Sequence, residues 1–515
     1  MGPRPQGLRR AGAGAVGQTP PLVARAGQHG PRTAIIAREG TFSYPDLLEA
    51  SHRVASALLA TASDLREARV ALLAPPGWHY VAAQWGIWRA GGIAVPLAVS
   101  HPPAELEYTI ADAQVDTVVV HPEFADRVDR IAAGRGVRVV LTPQALEAPP
   151  GSLPHIDPSR AALIFYTSGT TGKPKGAVHT HASIQAQVES LVEAWEWTAD
   201  DRILGVLPLH HVHGVVNVLT CALWSGAACE LMPRFDAAET WDRIAAGGVT
   251  LFMAVPTIYA KLIAAWDGAA PHRRAAMSAG CRAMRLFVSG SAALPVSVLE
   301  RWREISGHTL LERYGMTEIG MALSNPLHGE RCPGHVGVPL PGVIVRLVDE
   351  AGAEVSPGEP GEIEVRGPGV FREYWNRTNE TREAFRNGWF RTGDVAVLEN
   401  GSYRILGRRS VDIIKTGGFK VSALEIEETL REHPDVAECA VVGVADPEWG
   451  ERVCAAVVAR PSCAIVADAL RDWARERLAS YKVPSRVVVV AELPRNAMGK
   501  VTKQQVARLF GPSPV

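Results

Sequence analysis

The residues best suited to chemistry begin with Tyr166-Thr167-Ser168-Gly169-Thr170-Thr171-Gly172-Lys173-Pro174-Lys175-Gly176. Its glycines let backbone N–H groups come close to oxyanions, its hydroxyls add donors and its two lysines add charge, so the segment suits phosphate. The spacing is not Gly-x-x-x-x-Gly-Lys-Ser/Thr, because Pro174 follows Lys173. Taken alone, such a Gly/Ser/Thr cluster is equally a polar turn. Further on, Tyr314-Gly315-Met316-Thr317-Glu318 places a hydroxyl beside a carboxylate, Asp394 closes Trp389-Phe390-Arg391-Thr392-Gly393-Asp394, and Lys500 closes Pro494-Arg495-Asn496-Ala497-Met498-Gly499-Lys500. An ionised carboxylate is acceptor-only, which suits sugar hydroxyls or a hard divalent cation, and a lysine suits charge developing on phosphate. Three histidines crowd into Pro208-Leu209-His210-His211-Val212-His213-Gly214, but no carboxylate or cysteine stands at ligand spacing to complete a metal site. Each of these groups read singly has a duller role: a surface acid, a turn former or a solvated lysine.

The elements that must position them alternate. Short β-rich runs at 34–37, 70–73, 117–120 and 137–141 are separated by helical segments such as 44–59, which predicts a layered α/β sheet. Apolar strand candidates recur at 161–165, 202–206, 251–254 and 285–288, each followed by turn residues or a helical pattern. Beyond Pro333, short runs with Gly and Pro turns at 343–348, 361–366 and 403–406 predict a small, mostly antiparallel or barrel-like region. Residues 411–510 alternate helix and strand again, as an α+β unit. Thr257, after Pro256, reads as the N-cap of a helix that carries Lys261.

The chain has 515 residues, too many for one ordinary core, with 47% hydrophobic and 21% charged residues and a formal net charge of -1. Nothing in that balance calls for nucleic acid. Seven scattered cysteines without a C-x-x-C pair argue against a disulfide framework and a cysteine zinc site. Even the apolar stretch 205–223 is interrupted by His210, His211, His213 and Asn217, so no membrane span is expected. The first thirty residues carry Arg4, Arg9, Arg10 and Arg25, with no acid and no serine. They read as a disordered tail on a cytoplasmic protein or, alternatively, as a targeting segment for the mitochondrial matrix.

The ordered set of motifs resembles the adenylate-forming superfamily of acyl-CoA synthetases, firefly luciferase and nonribosomal adenylation enzymes, from about Thr33 to Phe510. The resemblance implies an α/β fold with a large multi-layer N-terminal domain (two sheets plus a small barrel-like region, 31–407) and a small, mobile α+β C-terminal domain (408–515), after a tail at 1–30. It implies ATP, Mg2+ and coenzyme A. Thr167, Ser168, Gly169, Thr170, Thr171, Gly172, Lys173 and Lys175 would hold ATP phosphates. Gly290, Ser291 and Ala292 would lie against adenine, with Tyr314 and Gly315 beside the nucleotide. Thr317 would reach phosphate, Glu318 would hold Mg2+ through ATP, Asp394 would bind both ribose hydroxyls and Arg408 would stand near them. Lys500 would drive adenylation. After rotation about a hinge within 407–412, Gly417, Gly418 and Phe419 would face coenzyme A.

The blocks at 207–214, 255–261, 288–295 and 312–318 resemble malonyl-CoA synthetases within that superfamily. On that resemblance His213, Ser291 and Met316 line the acyl pocket, and Lys261 stands where bacterial members have an Arg that pairs with malonate's second carboxylate. A lone Lys on an apolar helix otherwise snorkels to water. The expected activity is formation of malonyl-CoA from malonate, ATP and coenzyme A through a malonyl-adenylate, releasing AMP and pyrophosphate. The alternatives are a methylmalonyl-CoA or other short- or medium-chain acyl-CoA synthetase, and a catalytically silent nucleotide-binding scaffold.

Overall fold

A computed structural model describes residues 19–167, 174–409, 411–416, 419–446, 448–495 and 501–511. Two large sheets share one core. In the nine-stranded sheet, parallel strands Thr33–Ala37, Ala228–Leu231, Arg202–Gly205, Leu251–Ala254, Leu286–Ser289 and Leu311–Met316 lie in that order, with antiparallel strands at both edges. The reason these runs are apolar throughout is visible in Leu251–Ala254. Leu251 and Met253 enter the core shared with the second sheet, while Phe252 and Ala254 join Trp241, Tyr259 and Trp302 on the opposite face.

The seven-stranded sheet sets Ile93–Pro96, Arg69–Leu73, Thr117–Val120 and Arg138–Leu141 in parallel beside an antiparallel pair, Ala161–Thr167 and Lys175–Thr180. Between the two sheets lie helices such as Tyr44–Leu59 and Trp78–Arg89, whose Leu47, Val54, Trp85 and Trp88 are fully enclosed. Ser43 starts the first of these with a reciprocal cap through Asp46. A third, antiparallel sheet comprises Ile344–Val348, Gly361–Arg366, Phe385–Arg386, Trp389–Glu399 and Ser402–Arg408. The last sheet, with strands Ile413–Thr416, Phe419–Ser422, Val436–Asp446, Gly450–Ala459 and Arg486–Val489, has its own cores on both faces.

Four details differ from the sequence reading. The strand expected to end at 165 runs to Thr167 and pairs antiparallel with a strand that begins at Lys175, so the two described ends of the phosphate segment lie on neighbouring strands. Residues 213–220, His213–Thr220, form a π-helix that continues into Cys221–Ser225. Val255, not Thr257, is the N-cap of helix Pro256–Asp267, because Pro256 occupies N1 and Thr257 faces solvent. The expected tail also reached too far: Pro21–Ala26 is a helix with Leu22, Val23 and Ala26 buried, and Arg25 donates to the Trp224 carbonyl at 2.7 Å. Six residues introduced by two prolines give too little periodicity to reveal that helix.

Candidate active site

The parallel strands of the nine-stranded sheet end at one edge, and the segments that leave them carry the expected site residues, as open α/β sheets generally arrange. At the end of Leu311–Met316, the Tyr314 hydroxyl donates to Asp394 at 2.6 Å, and Arg408 Nε donates to the other carboxylate oxygen at 3.0 Å. Asp394 sits on Trp389–Glu399 and Arg408 ends the neighbouring Ser402–Arg408, where the register pairs the two residues directly. Burial pushes the Asp394 carboxyl up, and the adjacent guanidinium and hydroxyl offset part of that rise. Its backbone N–H donates to Thr392 Oγ1 at 3.1 Å.

Glu318 is buried beside this group. Its Oε1 accepts from the Tyr374 hydroxyl at 2.7 Å, and burial raises its carboxyl above the usual range. Tyr374 also presents its ring to Lys175, whose Nζ lies 5.3 Å from the ring centroid. Thus Tyr374 joins the acid to the end of the phosphate hairpin, a role that its position beyond every motif concealed. The carbonyl of Thr317 accepts from His179 Nε2 at 2.8 Å. Burial holds that imidazole at about 4, and Gln187 donates to its Nδ1 at 3.4 Å, so a neutral Nε2–H tautomer satisfies both contacts. Thr167 ends the first hairpin strand, its Oγ1 3.4 Å from the Lys175 carbonyl. The hairpin is braced from outside: Tyr166 donates to Asp112 at 2.8 Å, Arg377 pairs with the same acid at 2.6 Å, and Tyr108 donates to the Pro174 carbonyl at 2.7 Å. Ser168, Gly169, Thr170, Thr171, Gly172 and Lys173 lie outside the described residues, as do Gly417, Gly418 and Lys500.

The turn after Leu286–Ser289 brings the acyl-pocket candidates together. Ser291 holds φ +69, a left-handed conformation unusual for a non-glycine, and with Ala292 it is exposed. Ser291 Oγ lies 3.2 Å from His213 Nδ1 at the start of the π-helix. It also lies 3.4 Å from Arg313 Nη2. Arg313 is only 3% exposed, and Gly290 is what admits it: a Cβ there would stand 2.6 Å from the guanidinium carbon. Burial lowers the Arg313 guanidinium to about 9 and keeps His213 well below its usual value. Arg313 was missed because a lone Arg after Glu312 in a strand reads as a surface charge pair. In fact Glu312 is turned to the Leu294 N–H, and burial pushes its carboxyl to about 8.

Met316 is half-buried and packs against the cluster that includes Ala177, Ile319 and Leu323, and Gly315 has the Gly320 carbonyl 2.1 Å from where a Cβ would be, so no side chain fits. Lys261 makes no hydrogen bond or ion pair with this group among the described residues. It is exposed on helix Pro256–Asp267, whose Tyr259 and Leu262 point inward. His210 rests between the rings of His101 and His211, at 5.8 and 4.0 Å, and burial lowers it to about 2. In the last sheet, Phe419 is exposed and stacks on Tyr481 with ring centroids 4.2 Å apart. No helix among the described residues is long and apolar enough to cross a membrane.

This arrangement can seat a nucleotide sugar on Asp394 and its phosphates between the hairpin and Glu318. Residues 22–375 match the AMP-binding enzyme family and 425–500 its C-terminal domain. The mitochondrial malonate–CoA ligase of Mus musculus is 47% identical, covering 96% of this chain and 91% of the relative. The malonate–CoA ligase of Arabidopsis thaliana is 42% identical over 86% of this chain and 78% of its own length. The crystal structure of ATP-bound MatB from Rhodopseudomonas palustris superposes with a TM-score of 0.88 at 36% identity, covering 96% of this chain and 99% of that one. With both family regions present in order and a malonate–CoA ligase 47% identical over nearly the whole chain, this chain is an AMP-forming acid–CoA ligase and belongs to the AMP-binding enzyme family.

Proposed function

We propose that the protein joins malonate to coenzyme A with ATP, releasing AMP and pyrophosphate. The observation that carries this reading is the meeting of two half-sites at one sheet edge: Asp394 with Tyr314 and Arg408, and Ser291 with His213, in a chain 47% identical to a malonate–CoA ligase over nearly its full length. In the first half-reaction the acid's carboxylate attacks the α-phosphorus of ATP. Asp394 orients the ribose, the hairpin with Lys175 and Thr317 meets the phosphates, and Lys500 delivers the cation that favours pyrophosphate departure. In the second, the coenzyme A thiol attacks the acyl carbon of the adenylate and AMP leaves.

Glu318 fits a divalent cation: it is a buried, acceptor-only carboxylate whose charge burial penalises, a cost that a neighbouring cation relieves. Mg2+ held there with ATP would neutralise phosphate charge. The remaining assignments rest on the resemblance: residues 31–407 and 408–515 act as two units, the linker 407–412 is the hinge, and Gly417, Gly418 and Phe419 meet coenzyme A in the second half-reaction. Lys261, exposed as it is, would act at the pocket rim by attracting the acid. The arginine-bearing, acid-free segment 1–30 and the mitochondrial relatives support the mitochondrial matrix over the cytoplasm.

The test is AMP and thioester release with ATP, coenzyme A and a panel of malonate, methylmalonate, butyrate and benzoate. Malonate should lead. A monocarboxylate in first place would point to a different acyl-CoA synthetase, and no AMP with any acid would favour the silent scaffold.

A further inference from the structure

Two charged groups of the site touch one side chain without meeting each other. Glu318 is only 5% exposed, and its Oε1 accepts from the Tyr374 hydroxyl at 2.7 Å. Lys175, near the end of the phosphate segment, lies over the face of the same ring, with Nζ 5.3 Å from the centroid. Among the described residues neither Glu318 nor Lys175 forms an ion pair. A buried carboxylate ordinarily takes a cationic partner, and a nearby lysine is an obvious one. Tyrosine serves both groups in another way. Its hydroxyl is a neutral donor, so it fixes the direction of the carboxylate and leaves the negative charge in place, whereas an arginine or lysine there would cancel that charge. Its ring face attracts an ammonium group and holds it without a counter-ion. The backbone fixes Tyr374 from two sides. Glu373–Tyr374 pairs antiparallel with Lys175–Thr180, with Tyr374 opposite Ala177, and the N–H groups of Arg372 and Trp375 donate to the Val178 and Gly176 carbonyls at 2.8 and 2.7 Å. The Phe371 N–H donates to the Glu318 carbonyl at 2.7 Å, and the Tyr374 N–H donates to Thr381 Oγ1 at 3.0 Å. One short segment, 371–375, therefore grips both the strand that leaves the phosphate segment and the turn that carries Glu318.

We propose that Tyr374 is a positioning residue for the first half-reaction: its hydroxyl aims Glu318 at the divalent cation, its ring aims Lys175 at the phosphates, and the side chain between them keeps acid and lysine from neutralising each other. The assignment rests on the reading above of Glu318 as the acid that holds Mg2+ with ATP. A metal ligand whose orienting donor is lost binds its cation more weakly, because the carboxylate must then be ordered by the cation itself. The two functions of the side chain are separable. Phenylalanine keeps the ring for Lys175 and removes the donor from Glu318, whereas leucine removes both.

The experiment measures ATP binding to the full chain by calorimetry, with saturating Mg2+ and with EDTA, and AMP binding with EDTA as the reference. It compares the wild type, Tyr374→Phe, Tyr374→Leu, Glu318→Gln and the double variant Glu318→Gln with Tyr374→Phe. In Tyr374→Phe the gain in ATP affinity that Mg2+ brings should shrink roughly tenfold, while ATP affinity in EDTA holds. Tyr374→Leu should show the same shrinkage and also lose roughly threefold in EDTA, because Lys175 is released. AMP, which has neither β- nor γ-phosphate, should bind both variants within about twofold of the wild type. In the Glu318→Gln background the hydroxyl has no ionised acid to aim, so adding Tyr374→Phe should change the Mg2+ gain no further. An equal loss of AMP and ATP affinity in Tyr374→Phe, or loss of its fold, marks a structural brace and overturns the proposal. So does a further drop of the Mg2+ gain in the double variant. An Mg2+ gain that Glu318→Gln reduces and Tyr374→Phe does not overturns this proposal alone. A gain that Glu318→Gln leaves unchanged overturns the reading of Glu318 as the cation's acid, and this proposal with it.

Discussion

At the scale of single residues, exposure limits what the cation of Lys261 can do. Lys261 stands in an apolar context, Ile258-Tyr259-Ala260-Lys261-Leu262-Ile263, and the helix periodicity of that segment settles its fate: Tyr259 and Leu262 face the core, and Lys261 falls on the outer face. An exposed charge pair is worth about 0–1 kcal/mol. Lys261→Met should therefore lower kcat/KM for malonate by less than about tenfold, with the loss shrinking as salt is raised from low to physiological ionic strength. Steady-state kinetics at two salt concentrations checks this, and a salt-independent hundredfold loss would show that Lys261 pairs directly with the acid's second carboxylate. Motif residues such as Asp394 and Glu318 were legible because they belong to an ordered set. Tyr374, His179 and Arg313 were not, because a tyrosine, a histidine and an arginine in strands carry no spacing that announces a partner 56, 138 or 22 residues away.

At the scale of elements, eight strands of the two large sheets were legible to within a residue or two, whereas Ile93–Pro96, Lys175–Thr180, Ala228–Leu231 and Leu311–Met316 were not read as strands. Helix Tyr44–Leu59 and strands Thr117–Val120, Leu251–Ala254 and Gly361–Arg366 have the limits expected from their patterns. Strands buried on both faces are unbroken apolar runs, and the turns between them are rich in Gly and Pro, so both ends are marked. What periodicity conceals is a polar group inside such a run. Glu312 lies in Leu311–Met316 with its carboxyl at about 8, against 4.5 for an ordinary glutamate, and Oε2 has no partner. The folded chain keeps that proton between about pH 4.5 and pH 8 while the unfolded chain releases it, so this group's contribution to stability declines as pH rises through the window. Glu312→Gln removes the ionisation. Its melting temperature relative to wild type should rise progressively from pH 5 to pH 9, by a few degrees at the upper end. Melting curves across that range test it, and a pH-independent difference would mean that Glu312 finds a partner when charged.

At the scale of the whole molecule, the linker after Arg408 ties the two family regions together. The Asp412 N–H donates to the Arg408 carbonyl at 2.7 Å, and Asp412 Oδ2 accepts from the Arg408 N–H at 2.9 Å. Lys503 Nζ reaches Asp412 at 2.6 Å and Glu427 at 2.7 Å, mostly buried, so removing it strands two carboxylates together. Lys503→Met should cost about 3–5 kcal/mol in the C-terminal unit, seen as hydrogen exchange of Ala423–Arg431 rising ahead of the large sheets. Unchanged protection of that helix would show the ion pairs to be dispensable. Glu428 on the same helix accepts from the Val296 N–H at 2.9 Å, a contact that crosses from one family region to the other.

Three residues before Lys503 stands Lys500, and the chain separates it by about a hundred positions from Asp394, whose site it serves on the proposed reading. Such a distance in sequence, with a short linker between, suits a unit that presents one face for adenylation and another for thioester formation. The order of motifs suggests this proposal, but sequence does not indicate which contacts would hold either arrangement. On the proposed reading the cation of Lys500 serves the first half-reaction alone, since pyrophosphate leaves before coenzyme A attacks. Lys500→Ala should thus lower malonate-dependent ATP/pyrophosphate exchange by about two to three powers of ten, the range for losing one preorganised charge at a transition state. The same variant, given malonyl-adenylate and coenzyme A, should form thioester within about threefold of the wild-type rate. Rapid-quench assays of the two half-reactions make the comparison. Equal losses in both would mean that Lys500 stays at the acyl phosphate throughout, and the two-face account of the C-terminal unit would fail with it.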